Sequence, residues 1–140
     1  MLKVESKQDK LPSGCENYKW LTNSKRKTTS ATLGVKCDKS GDSYTSPDWQ
    51  GADWYRIDPS IGTKIPTSAT KYQHCGFWGS GYISGGSTPG VGQTIDAKVC
   101  FYYNNDNCIT PANIKIKNCN DYLIYYLPDV PGCYRGYCVE

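Results

Sequence analysis

Eight cysteines, Cys15, Cys37, Cys75, Cys100, Cys108, Cys119, Cys133 and Cys138, constrain this chain more than any hydrophobic pattern in it. No two are spaced as C-x-x-C, and His74 is the only histidine. Zinc sites want close Cys or Cys/His pairs, so no metal is expected, and the even count reads as four disulfides formed in an oxidising compartment. Composition leaves their connectivity open, because eight cysteines can pair in many ways.

The staples answer a need. The chain has 140 residues, the size of one domain, and its 38% apolar share leans on twelve Tyr and four Trp while Leu, Ile, Val and Phe are scarce. Aromatic side chains bury large areas but want partners for their polar tips, so the core is expected to be thin. Residues 1–13 read as a flexible lead-in and residues 14–140 as a single domain. Met1 to Lys10 contain no apolar stretch of the signal-peptide kind, so secretion requires a leader that has been removed. No run approaches the roughly 18 apolar residues of a membrane span, and membrane insertion is not expected.

The net charge of +3 is uneven, with nine Lys/Arg against four acids in residues 1–39 and seven against nine in the rest. Lys25-Arg26-Lys27 is the densest basic run and reads as a solvated loop; nucleic acid is not an expected partner of a secreted chain, whereas an anionic glycan or mineral surface is compatible.

Period-two alternation and turn signals place the strands. Trp54–Ile57, Ile95–Tyr103, Ala112–Lys117 and Tyr122–Leu127 are strand-like, with Thr32–Cys37 a weaker candidate. Ile114-Lys-Ile-Lys117 has one buried and one wet face, and Asn118–Asp121 makes a hairpin turn to the next strand. Tyr122–Leu127 lacks alternation and is expected to be covered on both faces, or to show tyrosines to solvent. Leu21–Ser30 reads as loop or short irregular helix. Gly76 to Gly92 hold seven glycines among Phe77, Trp78 and Tyr82 and read as a long ordered loop. The fold class is mainly β, with a small α+β variant as the alternative: a disulfide-rich domain of short antiparallel sheets and long loops.

No catalytic constellation assembles. His74 has no nucleophile motif around it and reads as a hydrogen-bonded loop histidine. Asp48, Asp53 and Asp58 lie among turn residues, where Asp is common for structural reasons. Asp38–Ser43 lacks the acidic spacing of a calcium loop and reads as a turn, and the glycine-rich segment contains no G-K-[ST] for phosphate. The chain therefore reads as a non-enzyme without a cofactor. Trp49, Trp54, Phe77, Trp78 and Tyr82 divide between core and exposed platforms; Phe77, Trp78 and Tyr82 are the binding candidates, and Tyr82 is expected to be the most exposed.

Cys15 with Tyr18 and Leu21, Cys37-Asp38, Trp54-Tyr55-Arg56, Ile65-Pro66-Thr67, Cys75-Gly76, Val99-Cys100, Ile114 to Cys119, Tyr122 to Leu127 and Tyr137-Cys138 together resemble the uromodulin-type eight- and ten-cysteine extracellular domain, the domain also found in the pancreatic zymogen-granule membrane glycoprotein. The likeness runs from about Cys15 to Cys138. Ten-cysteine members carry a further pair where this chain has Ala69 and Asn107, so the chain resembles the eight-cysteine form. The resemblance implies Cys15 with Cys119, Cys37 with Cys133, Cys75 with Cys138 and Cys100 with Cys108. In those glycoproteins the domain helps to capture fimbrial adhesins through an N-linked glycan; this chain has no N-x-[ST] sequon, and the family's Trp-x-x-Gly-x-His-Pro stretch is altered to Tyr82-Ile-Ser-Gly-Gly-Ser-Thr-Pro89, so that role does not carry over.

The expected function is extracellular recognition or adhesion, of a protein or the extracellular matrix first and of carbohydrate second. A self-assembling structural protein is the alternative and a secreted effector or toxin the third reading. If all eight cysteines are paired, the native protein will consume no thiol reagent, and its mass will lie eight hydrogens below that of the reduced chain; two or more reactive thiols would refute the oxidised reading.

Overall fold

The computed structural model describes residues 11–30, 36–69, 74–85, 87–103 and 106–140. Most of the lead-in and the Thr32–Val35 part of the weak strand candidate lie outside them. Where alternation is cleanest the strands are longest. Strand β4, Thr94–Tyr103, and strand β5, Asp106–Asn118, form the long central hairpin, and Ile114 and Ile116 are buried while Asn113 and Lys115 are exposed and Lys117 half-buried. Strand β6, Leu123–Leu127, follows after the Asn118–Asp121 turn and pairs antiparallel with β5. Asn120 takes the left-handed conformation there (φ 82°), which Asn tolerates, and donates its N–H to the Asn118 side chain at 2.8 Å.

Strand β2, Asp53–Ile57, pairs antiparallel with β6, and the three-residue β1, Lys19–Leu21, pairs parallel with β2. On the other side β3, Gly79–Ile83, pairs antiparallel with β4, and β7, Arg135–Tyr137, pairs parallel with β3. The result is one curled seven-stranded mixed sheet in the order β1-β2-β6-β5-β4-β3-β7. The protein is mainly β; its helical content among the described residues is the 3₁₀ turn Ser24–Arg26, within the segment expected to be loop or irregular helix.

The Gly76–Gly92 segment is not one long loop, because its middle is β3. Glycine serves close packing there: a Cβ on Gly81 would fall 2.5 Å from the Gly136 carbonyl oxygen, and 3.0 and 3.1 Å from the Val99 and Phe101 side chains. The sheet curls round a core of Leu21, Tyr55, Ile57, Ile83, Val99, Phe101, Ile114, Ile116, Tyr125, Leu127 and Tyr137, closed by Trp49, Ile65 and Val130 from the connections. The polar tips of the core aromatics find partners, as burial requires. Trp49 stacks on Tyr55 at 4.9 Å and donates its Nε1–H to Asp129 at 2.8 Å. The Tyr55 hydroxyl donates to the Gly51 carbonyl, and that of Tyr137 to the Pro128 carbonyl. Burial pushes the Tyr55 and Tyr125 phenols up to about 12.

The four disulfides are Cys15–Cys119, Cys37–Cys133, Cys75–Cys138 and Cys100–Cys108. Three close loops of 104, 96 and 63 residues; on the chain-entropy account, closing a loop of about 100 residues removes roughly 4 to 5 kcal/mol of unfolded-state freedom.

Arg26 corrects the solvated-loop reading of the basic run, being 1% exposed. Its Nη1–H and Nη2–H donate to the two carboxylate oxygens of Asp38, each at 2.8 Å. Its Nε–H and Nη2–H donate to Asp48 at 2.9 and 2.6 Å, and Nη1–H also reaches the Tyr137 carbonyl at 2.9 Å. The ring of Phe77 lies 5.5 Å from the guanidinium. Asp48 also accepts the Thr22 and Asn23 amides, and Asp38 that of Tyr137. Burial disfavours the arginine cation, but the two carboxylates more than offset it and keep it charged. Burial likewise raises the Asp48 carboxyl, and its bonds to Arg26 and the two amides outweigh that and hold it below the ordinary range.

Removing the cation while leaving both buried carboxylates is expected to cost about 3 to 5 kcal/mol, so Arg26→Met should lower the Tm sharply. Because Asp48 is depressed in the folded state, its contribution is present above the ordinary Asp value near 4 and is lost as the pH falls through the folded value. Chemical denaturation of the wild type should therefore show stability falling below about pH 4, with a shallower fall in Asp48→Asn; equal slopes would remove Asp48 from the acid response.

Candidate functional site

Of the predicted binding residues, Phe77 is buried at 2% exposure. Its ring lies on Gly136, where a Cβ would come within 2.2 Å of it. It therefore offers a ligand no surface and belongs beneath Arg26 and beside the Cys75–Cys138 disulfide. Trp78 is half-buried, 5.2 Å from the Tyr134 ring and 6.5 Å from that of Tyr103, with Tyr44 packed on Tyr134 at 5.8 Å. Tyr82 is half-buried on β3 opposite Cys100, and burial and nearby Asp106 raise its phenol. The structure thus parts the three: Phe77 goes inward and Trp78 joins a surface ring cluster.

The chemistry candidates take structural places. His74 makes a 3.0 Å hydrogen bond between Nδ1 and the Thr28 carbonyl. Asp48 belongs to Arg26, Asp53 pairs with Lys19, and Asp58 accepts the Ser60 amide at 2.9 Å. Asp38 of the calcium-like turn is committed to Arg26, and Asp42 accepts the Tyr44 amide. Asp42 lies beside the sulfurs of Cys37 and Cys133, but those sulfurs are joined to each other and are not thiolate ligands.

A larger surface emerges from the sheet itself. Residues two apart on a strand share a face and direct neighbours across strands stand side by side, so the register aligns the side chains opposite the core into rows. In one row Trp54 of β2 neighbours Tyr126 of β6, which neighbours Lys115 of β5, which neighbours Asp96 of β4. In the next, Trp20 of β1 neighbours Arg56 of β2, followed by Ile124 and Lys117. Trp20 is 40% exposed, and Trp54 and Tyr126 are half-buried with their rings edge to face at 5.7 Å.

Arg56 holds one corner of this face together. Its guanidinium lies 3.8 Å from the Tyr122 ring centre, 4.9 Å from that of Trp20 and 5.7 Å from that of Tyr18, and its Nη1–H donates to the Tyr18 hydroxyl at 3.0 Å. No ion pair of Arg56 occurs among the described residues, and its buried Nε has no hydrogen-bond partner there. Beneath this corner Ile124 packs on the Cys15–Cys119 disulfide, so β6 is covered on both faces at that point, as its missing alternation implies.

Sequence reasoning places binding on the glycine-rich segment and passes over Trp20, Arg56, Tyr122, Tyr126 and Lys115. Part of the signal is present in the sequence: in Trp54-Tyr-Arg-Ile57 the core takes Tyr55 and Ile57, which leaves Trp54 and Arg56 for the opposite face.

A single curled sheet held by four disulfides, with an aromatic and cationic outer face, defines a small disulfide-stapled, mainly β domain. Residues 55–139 match the model of the uromodulin-like eight-cysteine domain, and the chain belongs to that family. The family is a non-enzymatic one, and membership with four disulfides fits an extracellular module. No helix among the described residues is long and apolar enough to cross a membrane.

Phe77→Ala is expected to destabilise by about 3 to 5 kcal/mol, as for other buried aromatic truncations, and Trp20→Ala to leave the Tm within a degree or two. Thermal melts of the two variants check this; a stable Phe77→Ala would mean that the ring is not a core element.

Proposed function

We propose that this domain is a non-catalytic extracellular recognition and adhesion module whose binding surface is the outer face of the sheet. The observation that carries the reading is the pair of cross-strand rows in which Trp20, Trp54 and Tyr126 stand beside Arg56, Lys115 and Lys117. Buried aromatic and arginine anchors supply most of the energy in recognition surfaces, and here they lie on rigid strands rather than on a mobile loop. The partner class is a protein or glycan of the extracellular matrix, and residues 14–140 act as one unit. The Trp78, Tyr134 and Tyr44 cluster is the second candidate surface, and Tyr82, the further candidate, stands apart from it on β3 opposite Cys100.

Immobilised domain should retain components of an extracellular matrix extract, and a Trp20→Ala/Trp54→Ala variant that melts normally should lose them while Tyr44→Ala keeps them. Loss in Tyr44→Ala alone would move the site to the Trp78 cluster. Retention by neither wild type nor variants, with light scattering that rises with protein concentration, would favour self-assembly instead.

A further inference from the structure

The outer face carries more positive charge than it neutralises. Arg56, Lys98, Lys115 and Lys117 stand on it against Asp96, while Lys19 of β1 and Asp53 of β2, which alternate with the outward Trp20 and Trp54, neutralise each other. Asp96 is taken by Lys115, whereas Arg56, Lys98 and Lys117 make no ion pair among the described residues. Glu16, near Tyr122, and Asp106, near Tyr82, are further acids at the rim. The Lys115–Asp96 pair is 2.6 Å long but its side chains are 52% and 84% exposed, so water and an incoming anion compete for it readily.

The shape of the face narrows the partner. In front of Tyr126 lies an open groove of about 530 Å³, lined by Lys98, Asn113, Lys115 and Asp96. It is a shallow trough across strands and not the enclosed apolar cavity that takes a small molecule. Protein interfaces deplete lysine and acidic residues at their centre, but here Lys115 of the central β5 stands directly beside Tyr126 of β6, with Trp54 of β2 next in the row. Strands lie about 4.8 Å apart, close to the repeat of one sugar ring along an extended glycan, so Trp54, Tyr126 and Lys115, on successive strands, are spaced at a saccharide's interval. Aromatic faces match the apolar face of a pyranose, and the ammonium and guanidinium groups match its sulfate or carboxylate substituents.

We infer that the outer face binds an acidic glycan, a polysaccharide carrying sulfate or carboxylate groups and laid across β2, β6, β5 and β4. The inference rests on the outer face being the recognition surface. Trp54 and Tyr126 stack on sugar rings, Trp20 extends the platform, and Lys98, Lys115, Lys117 and Arg56 meet the anionic substituents.

The test measures binding of a heparin-derived octasaccharide by calorimetry, beside neutral dextran and polyglutamate, to the intact chain, to Lys98→Ser/Lys117→Ser and to Trp20→Ala, with a melt of each protein. The lysines are chosen because they make no ion pair and Trp20 because it is exposed. The octasaccharide is expected to bind and to weaken as salt rises, with a loss of about tenfold in the double lysine variant and roughly threefold or more in Trp20→Ala. Dextran is expected not to bind, and polyglutamate to bind more weakly and without dependence on Trp20. No octasaccharide binding, binding unchanged in both variants, or polyglutamate binding as tightly as the sugar overturns the inference. If the octasaccharide fails while matrix retention still depends on Trp20 and Trp54, only the ligand class falls; if both fail, the recognition surface falls with it.

Discussion

The guanidinium of Arg26 sits between two buried carboxylates, and each partner comes from a different stretch of irregular chain. Asp38 follows Cys37, Asp48 precedes Trp49, and the Tyr137 carbonyl and amide belong to the sheet. Such a cluster is a poor source of net stability, since desolvating the charges offsets most of their attraction. What it supplies is register. Connections rich in Ser, Asp, Gly and Lys have little apolar surface with which to choose a position, but a five-donor fork accepts one arrangement of its two partners. Trp49 is thereby brought onto Tyr55, and Phe77 beneath the guanidinium, so the thin core is closed by segments that could not bury themselves.

The same economy shapes the outer face. Among the described residues the sheet buries its main core on one face, while the opposite face is covered at one corner, where Tyr18, Tyr122 and Ile124 gather on the Cys15–Cys119 disulfide. The remainder is charged, ringed and open. Part of it, Trp20 and Trp54, comes from residues before the matched family segment, while Arg56, Lys115 and Tyr126 lie inside that segment.

How far the sequence disclosed this follows from the range of each interaction. Strands β2, β4, β5 and β6 were legible because their alternation and the Asn118–Asp121 turn are local signals. Strands β1 and β7 were not, being three residues long and paired in parallel with distant segments, Lys19 with Tyr55 and Arg135 with Gly79. Strand β3 was hidden by its glycines, which look like loop and act as spacers. Arg26, Asp38 and Asp48 each read locally as ordinary surface or turn residues, and only the fold brings them together. The tyrosine and tryptophan count announced a surface or a core without saying which side chain served which.

The long disulfides share an order: Cys15, Cys37 and Cys75 take Cys119, Cys133 and Cys138 in turn. During vectorial synthesis, three cysteines therefore emerge well before any of their native partners, free to cross-link wrongly among themselves. The final stretch then fixes much at once, because Cys138 bonds to Cys75, Val139 hydrogen-bonds to Arg26 and Thr28, and Glu140 to Thr63 and Lys64. Nascent chain of this kind cannot mature in step with the ribosome. Native closure of the three long loops therefore waits for Cys119, Cys133 and Cys138, a step that involves disulfide exchange as well as collapse.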